Sequence, residues 1–297
     1  MVIAGQSGSK STFAGGLYQH VDRSSRLRIT QRLKGSEDDY HDRVIRPMFS
    51  QNMYPKQTRN GYVVEYEITA DGAYIPDTNI EFVDLPGEQQ EGLLDPPQAM
   101  DLVTKIERGN IPDAETVHEN YRNNVRDKFD IGTGPETNHE WETTFLHYYY
   151  QADDVLFLMN LHKVIEQAEP LAYDKMAIEH VVSEKTNVAI VPTAVDLVGY
   201  DPDADDPTVT QRVTAGLKSL ISPQLSDSDL KETISNHLGP GEAREVNNIL
   251  NYVDQEPQVD FFGVSVPDKN RSTDELTADG DGGFVTRGFD QVVSWLR

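Results

Sequence analysis

The sequence predicts an α/β fold built on a mostly parallel sheet. Two patterns carry that expectation. Val155 to Asn160, Val188 to Val191 and Phe261 to Val266 are continuous apolar runs, as in strands covered on both faces. Helical stretches separate these runs, and parallel strands need such crossovers to connect them.

Along the chain, Val2-Ile3-Ala4 is a short apolar run ending in Gly5, and a Gly/Ser loop follows. Ser11 to Gln19 reads as a helix, with Phe13, Leu17 and Tyr18 on related faces. Arg26 to Leu33 alternates through Leu27 and Ile29 and reads as a strand. Ser36 to Phe49 reads as a helix, because Ser36 opens it and Glu37, Asp38 and Asp39 suit the positive end of its dipole. Tyr62 to Thr69 and Asn79 to Val83 are β-rich and flank Asp71-Gly72, so they are expected to pair as a hairpin.

Residues 88–151 are mostly polar and helical in pattern, punctuated by Pro96-Pro97, Gly109, Pro112 and Gly132-Thr133-Gly134-Pro135. Phe289 to Leu296 closes the chain as an amphipathic helix, and the acidic stretches Asp201–Asp206 and Asp268–Gly283 read as solvated loops. No internal repeat is visible. The expected organisation is a single domain over 1–297, with a helical insertion at 88–136, a divergent helical segment at 199–257 and an acidic loop at 268–283. A first strand of only Val2 to Ala4 is short against the usual ~5–6 residues, which suggests a start upstream of Met1.

Charge excludes several classes of function. Over 297 residues, 50 Asp+Glu face 26 Lys+Arg, a formal charge of −24. No Lys/Arg block exists to displace counterions from a phosphate backbone or to dock on anionic lipid, so no nucleic-acid partner is expected. The absence of cysteine removes disulfides, zinc ribbons and thiol catalysis. No apolar run approaches the ~20 residues of a bilayer span, and the N-terminus has no basic-then-apolar leader pattern. A cytoplasmic protein without an integral membrane segment is expected. The acids divide into 29 Asp and 21 Glu and the bases into 15 Arg and 11 Lys. With no Cys, this balance suggests a salt-accumulating cytoplasm, as in a halophilic archaeon, where molar salt shortens the Debye length to ~3 Å and screens self-repulsion.

The strongest local feature is Gly5-Gln6-Ser7-Gly8-Ser9-Lys10-Ser11-Thr12, set between the first apolar run and the first helix. A phosphate-binding loop uses glycines to turn backbone N–H groups inward, a Lys to neutralise β/γ oxygens and the next Ser/Thr hydroxyl to ligate Mg²⁺. Lys10 and Ser11 fit those last two roles. Ser9 stands where the usual pattern has glycine, and Gly5 lies five rather than six residues before Lys10, unless Ala4 takes the first position.

Further elements follow in order. Asp84-Leu85-Pro86-Gly87 ends the hairpin strand Ile80-Glu81-Phe82-Val83, and Tyr54-Pro55-Lys56-Gln57-Thr58 lies just before the hairpin. Tyr148-Tyr149-Tyr150-Gln151-Ala152-Asp153-Asp154 leads into the apolar run at Val155. Pro192-Thr193-Ala194-Val195-Asp196 ends another strand, and Ser265 follows Phe261-Phe262-Gly263-Val264. In this order the chain resembles the P-loop GTPases of the TRAFAC class, most closely the poorly characterised prokaryotic predicted GTPases with a D-L-P-G-E box.

That resemblance implies a three-layer P-loop NTPase, G-domain-like, whose mostly parallel sheet carries one antiparallel hairpin strand and a helical insertion. It implies that Asp84 acts on Mg²⁺ through water, that the Gly87 N–H senses the γ-phosphate, and that Thr58 closes over the metal and the γ-phosphate. It further implies that Thr193, Asp196 and Ser265 contact the guanine base, with Ala194 where the family carries a Lys along the base. The residue after D-x-x-G, which orients the attacking water, is Glu88 instead of Gln.

The expected function is therefore a GTP/GDP-binding molecular switch with slow Mg²⁺-dependent hydrolysis. An activating or effector protein, or a homodimer, would supply an Arg. Two alternatives stay open: an ATP-hydrolysing P-loop NTPase, favoured by Ala194, and a degenerate P-loop protein that acts as an interaction module, favoured by Ser9 and Glu88. Other constellations fall away. His139-Glu140-Trp141-Glu142-Thr143 lacks the second His of a zinc helix, and Asp201-x-Asp203-x-Asp205 lacks the Gly and terminal Glu of a calcium loop. The run Tyr148-Tyr149-Tyr150 has no interleaved basic residues and reads as packing.

Overall fold

A computed structural model of the chain describes residues 1–4, 9–31, 40–55, 62–70, 78–84, 104–105, 107–109, 145–146, 148–167, 171–203, 228–238, 242–267, 275–280 and 283–296. The strands are β1 (Val2–Ala4), β2 (Leu27–Gln31), β3 (Tyr62–Ala70), β4 (Thr78–Asp84), β5 (Asp154–Asn160), β6 (Asn187–Thr193) and β7 (Val259–Phe261). They lie in the order β2-β3-β4-β1-β5-β6-β7.

Two ladders meet at β1. On one side β1, β5, β6 and β7 form a four-stranded parallel set. On the other, β2, β3 and β4 form an antiparallel set, joined to β1 by the parallel pairing Val2↔Phe82. Since β2 and β4 both oppose β3, β3 alone among these strands runs against the rest. The expected hairpin is present, with Tyr62 opposite Asp84 and Ile68 opposite Thr78.

The strand side chains alternate between two cores. Ile3, Val155, Phe157, Met159, Val188 and Ile190 face one of them, while Val2, Ala4, Leu156, Leu158, Ala189 and Val191 face the other. Period-two alternation with both sets apolar is what a continuous apolar run becomes when it is covered on both sides.

The first core is closed by Ala172–Glu184, Ser228–His237 and Glu242–Gln255. The second is closed by α1 (Lys10–Arg23), by a π-helical turn His41–Ile45 that continues into Arg46–Gln51, and by Phe289–Trp295. Gly15 and Gly16 sit mid-helix in α1, where glycine costs about 1 kcal/mol against Ala. The reason is packing, because a Cβ at Gly15 would lie 2.3 Å from the Met48 sulfur and one at Gly16 2.5 Å from the Phe289 ring.

Three expectations shift. The apolar run at Phe261–Val266 begins its strand earlier, at Val259, and leaves regular pairing after Phe261. A Cβ at Gly263 would lie 2.7 Å from both Val195 and Leu230, so the chain here presses backbone against side chains. The helix expected from Ser36 has its described part as the π turn at 41–45 and the helix 46–51.

The acidic stretch 268–283 is more than a solvated loop in its described part. Leu276 is buried, its N–H donates to Asn52 O at 2.6 Å, and Arg23 pairs with Asp279. The insertion expected at 88–136 lies outside the described residues except at 104–105 and 107–109. Among the described residues no helix is long and apolar enough to cross a membrane.

Candidate functional site

Strand direction brings the sequence motifs to one end of the sheet. β1, β4, β5 and β6 run the same way, so Ala4, Asp84, Asn160 and Thr193 all finish at that end. The pairing Val2↔Phe82 carries Ala4 to the level of Asp84, and Ala4 pairs with Leu158 on its other side. Open α/β sheets bind ligands outside the carboxyl ends of their strands, where connections leave a central strand in opposite directions. Here that strand is β1, with β4 and β5 on its two sides.

At the β1 end, Ser9 precedes α1 in the left-handed conformation, φ 60° and ψ 18°. An L-residue pays about 1–2 kcal/mol there, and glycine pays almost none of it. The Ser9 carbonyl accepts the Phe13 N–H at 2.8 Å, so the helix begins at once after the bend. Lys10 opens α1 and is only 6% exposed, while Ser11 and Thr12 are half-buried. In a chain so rich in acids, the first turn of α1 contains none. The positive end of the helix dipole therefore lies beside Lys10 with no carboxylate in the same turn to offset it.

At the β6 end, Ala194 repeats the conformation of Ser9, with φ 59° and ψ 39°, and leads into a 3₁₀ turn at Val195–Val198. Among the described residues only Ser9, Asn52 and Ala194 are non-glycine residues with positive φ. Asn tolerates that region comparatively well; Ser and Ala do not. Two of the three bends thus lie directly before the helical turns that follow β1 and β6.

Three distant segments close around the turn. Ser265 Oγ donates to Asp196 Oδ1 across 69 residues of sequence. The Val264 N–H donates to Pro192 O at 2.9 Å, which holds the Ser265 segment alongside β6. Ser265 and Arg287 exchange backbone hydrogen bonds at 2.9 and 3.0 Å, and Arg287 Nη1 lies 3.1 Å from Asp201 Oδ2. The Gly288 N–H donates to Asp203 Oδ1 at 3.0 Å. Partial desolvation raises the Asp203 carboxyl above its ordinary range, opposed by that N–H and reinforced by Asp201 and Asp290, while Arg287 lowers it.

Thr193 is buried, and its hydroxyl donates to Met159 O at 3.5 Å. Beside it, at the end of β5, buried Asn160 accepts the His162 N–H at 3.1 Å. The stretch Asp201–Asp206, expected as a solvated loop, thus has Asp201 and Asp203 engaged in holding the segment around Gly288.

The structure therefore places Ser9, Lys10, Ser11, Thr12, the backbone of Asp84, Thr193, Asp196 and Ser265 at one end of the sheet. Gly5, Gln6, Ser7, Gly8, Thr58, Gly87 and Glu88 lie outside the described residues. Sequence reasoning missed Asp201, Asp203, Arg287 and Gly288, since no local motif joins residues so far apart in the chain. No protein-family model matches this chain, and no curated protein matches it in sequence.

Proposed function

We propose that this chain is a Mg²⁺-dependent GTP-binding protein of the P-loop type, with slow hydrolysis and a switch output. The observation that carries this reading is the convergence of a buried Lys10 at an acid-free helix start with Asp196 and Ser265 two strands away. Parallel strands lie about 4.8 Å apart, so the β1 and β6 ends are separated by roughly 10 Å. That separation suits a nucleotide lying across the strand ends, with its phosphates over β1 and its base over β6.

In this arrangement Lys10 and the α1 N–H groups would bind the β- and γ-phosphates. Ser11, Thr58 and Asp84 would hold Mg²⁺, which supplies charge neutralisation between phosphate oxygens. The carboxylate of Asp196 would accept from guanine N1–H and the 2-amino group, with the Ser265 hydroxyl fixing its orientation. Glu88 would accept from the attacking water, close to an anionic γ-phosphate, which accounts for slow turnover. Closure of the segments around Thr58 and Gly87 on the γ-phosphate would be the output. The −24 charge fits a cytoplasm of high salt, with the local positive potential confined to the helix start and the metal.

A second reading, an ATP-hydrolysing enzyme, draws on Ala194, which removes the cation expected along a guanine ring. Titration of fluorescent GTP and ATP analogues in molar KCl with Mg²⁺ separates the two. Preferential binding of GTP is expected; equal or tighter binding of ATP would overturn the assignment, and no binding of either would leave the fold as an interaction module. At ~10 mM salt, where the Debye length reaches ~30 Å, both fold and binding are expected to fail.

A further inference from the structure

We propose that Arg287 is a base-positioning residue that supplies, from a distant part of the chain, the cation absent at Ala194. This rests on the nucleotide-site reading above. Ser265 and Arg287 are directly opposed in an antiparallel pair, and they exchange both backbone hydrogen bonds, at 2.9 and 3.0 Å. Directly opposed residues in such a pair project their side chains from the same face, with Cβ atoms about 5.5 Å apart. The Ser265 side chain reaches Asp196. Arg287 therefore projects on the side where Asp196 would read the base.

Its position is held from both flanks. The next residue, Gly288, has φ 75°, and a Cβ there would lie 2.2 Å from the Gly263 carbonyl oxygen, so the two backbones touch. Asp203 fixes the Gly288 N–H, and Asp201 receives the guanidinium at 3.1 Å. Asp201 and Asp203 follow Asp196 in the same loop, so one loop supplies the base reader and both anchors. The Arg287–Asp201 pair is about one-third exposed, at 34% and 40%. Such a pair contributes little to stability and leaves the planar face of the guanidinium available. A guanidinium plane stacks on a purine and adds a cation–π attraction, which an ammonium supplies only as a point charge.

The test measures GTP and inorganic triphosphate binding in molar KCl with Mg²⁺ for wild type, Arg287→Ala, Arg287→Lys and Asp201→Ala. Arg287→Ala is expected to weaken GTP about tenfold, within the range of a desolvated cation–π contact, and to leave triphosphate competition unchanged. Arg287→Lys recovers part of the loss, and Asp201→Ala, which removes one of the two anchors but keeps the guanidinium, weakens GTP less than Arg287→Ala does. Equal losses in Arg287→Ala and Asp201→Ala would make Arg287 a structural anchor and overturn the proposal, as would unchanged GTP binding by Arg287→Ala. If wild type binds triphosphate but no nucleotide selectively, the guanine reading fails instead.

Discussion

The β1 end and the β6 end of the sheet carry the same backbone device and are built in opposite ways. Each has a non-glycine residue in the left-handed region directly before a helical turn, Ser9 in one and Ala194 in the other. At the β1 end the bend is held within one short stretch, Ser9 to Phe13, by its own helix. At the β6 end the bend is held by residues from 196–203, 264–265 and 287–288. The lesson is that the same bend can be held locally by its own helix or gathered from remote segments, and the proposed phosphate and base roles divide along that line.

The contrast yields graded tests. The largest effect is expected at the β1 end: Lys10→Ala removes charge-assisted hydrogen bonds of about 1.5–3 kcal/mol each, and GTP affinity should fall at least about a hundredfold. Asp196→Ala, at the other end, should instead erase the preference for GTP over ATP while triphosphate competition persists. Calorimetric titration of both variants checks this, and loss of triphosphate binding in Asp196→Ala would break the division into two ends.

Next comes Gly288→Ala. The new Cβ meets the Gly263 carbonyl oxygen 2.2 Å away at φ 75°, so a loss of about 2–3 kcal/mol is expected, or about 5–10 °C in melting temperature. Base discrimination should weaken with it, since Gly288 sits beside Arg287. A thermal melt in molar KCl measures the first and competition between GTP and ATP the second.

Smaller gains come from relieving the two bends. Ser9→Gly and Ala194→Gly should each stabilise by up to about 1 kcal/mol, because glycine removes the left-handed penalty while adding unfolded-state entropy. Only Ser9→Gly is expected to improve phosphate binding, by bringing backbone closer to the ligand. Denaturant titration with paired affinity measurements would show whether the two bends are energetically equivalent.

The smallest effect concerns Asp203. Its folded carboxyl is raised, so between the unfolded value and the folded one the native state holds more protons, and stability falls as pH rises through that window. Asp203→Asn keeps an acceptor for the Gly288 N–H and removes the titration. Its melting temperature relative to wild type should therefore rise with pH across the acid range and then level off. Because the residue retains exposed surface, the change should be slight.

Much of the fold was readable in the chain because its signals are short-range. Continuous apolar runs mark β5 and β6, Asp71-Gly72 marks the β3–β4 hairpin, and both cores follow from period-two burial. The end of β7 was not readable, because Phe262 and Val264 are as apolar as strand residues. Past Phe261 the pairing with β6 continues only as the isolated bridge Thr193↔Val264, beside the close approach of Gly263 to the remote residues Val195 and Leu230. Ser9 lies in a contiguous Gly/Ser stretch, at the place where the motif it resembles has glycine. The bend at Ala194 carries no such mark.

The sequence by itself determined the α/β alternation, the apolar runs that become β5 and β6, the β3–β4 pairing and the acid excess. Those depend on propensity, periodicity and neighbouring side chains, which act over a few residues. Only the tertiary structure decided that Asp196 meets Ser265, that Arg287 pairs beside it and that Asp203 holds Gly288. The first and last of these contacts join groups 69 and 85 residues apart. Parallel strands and their crossovers bring such segments to one end of a sheet, and no local pattern encodes which of them will meet.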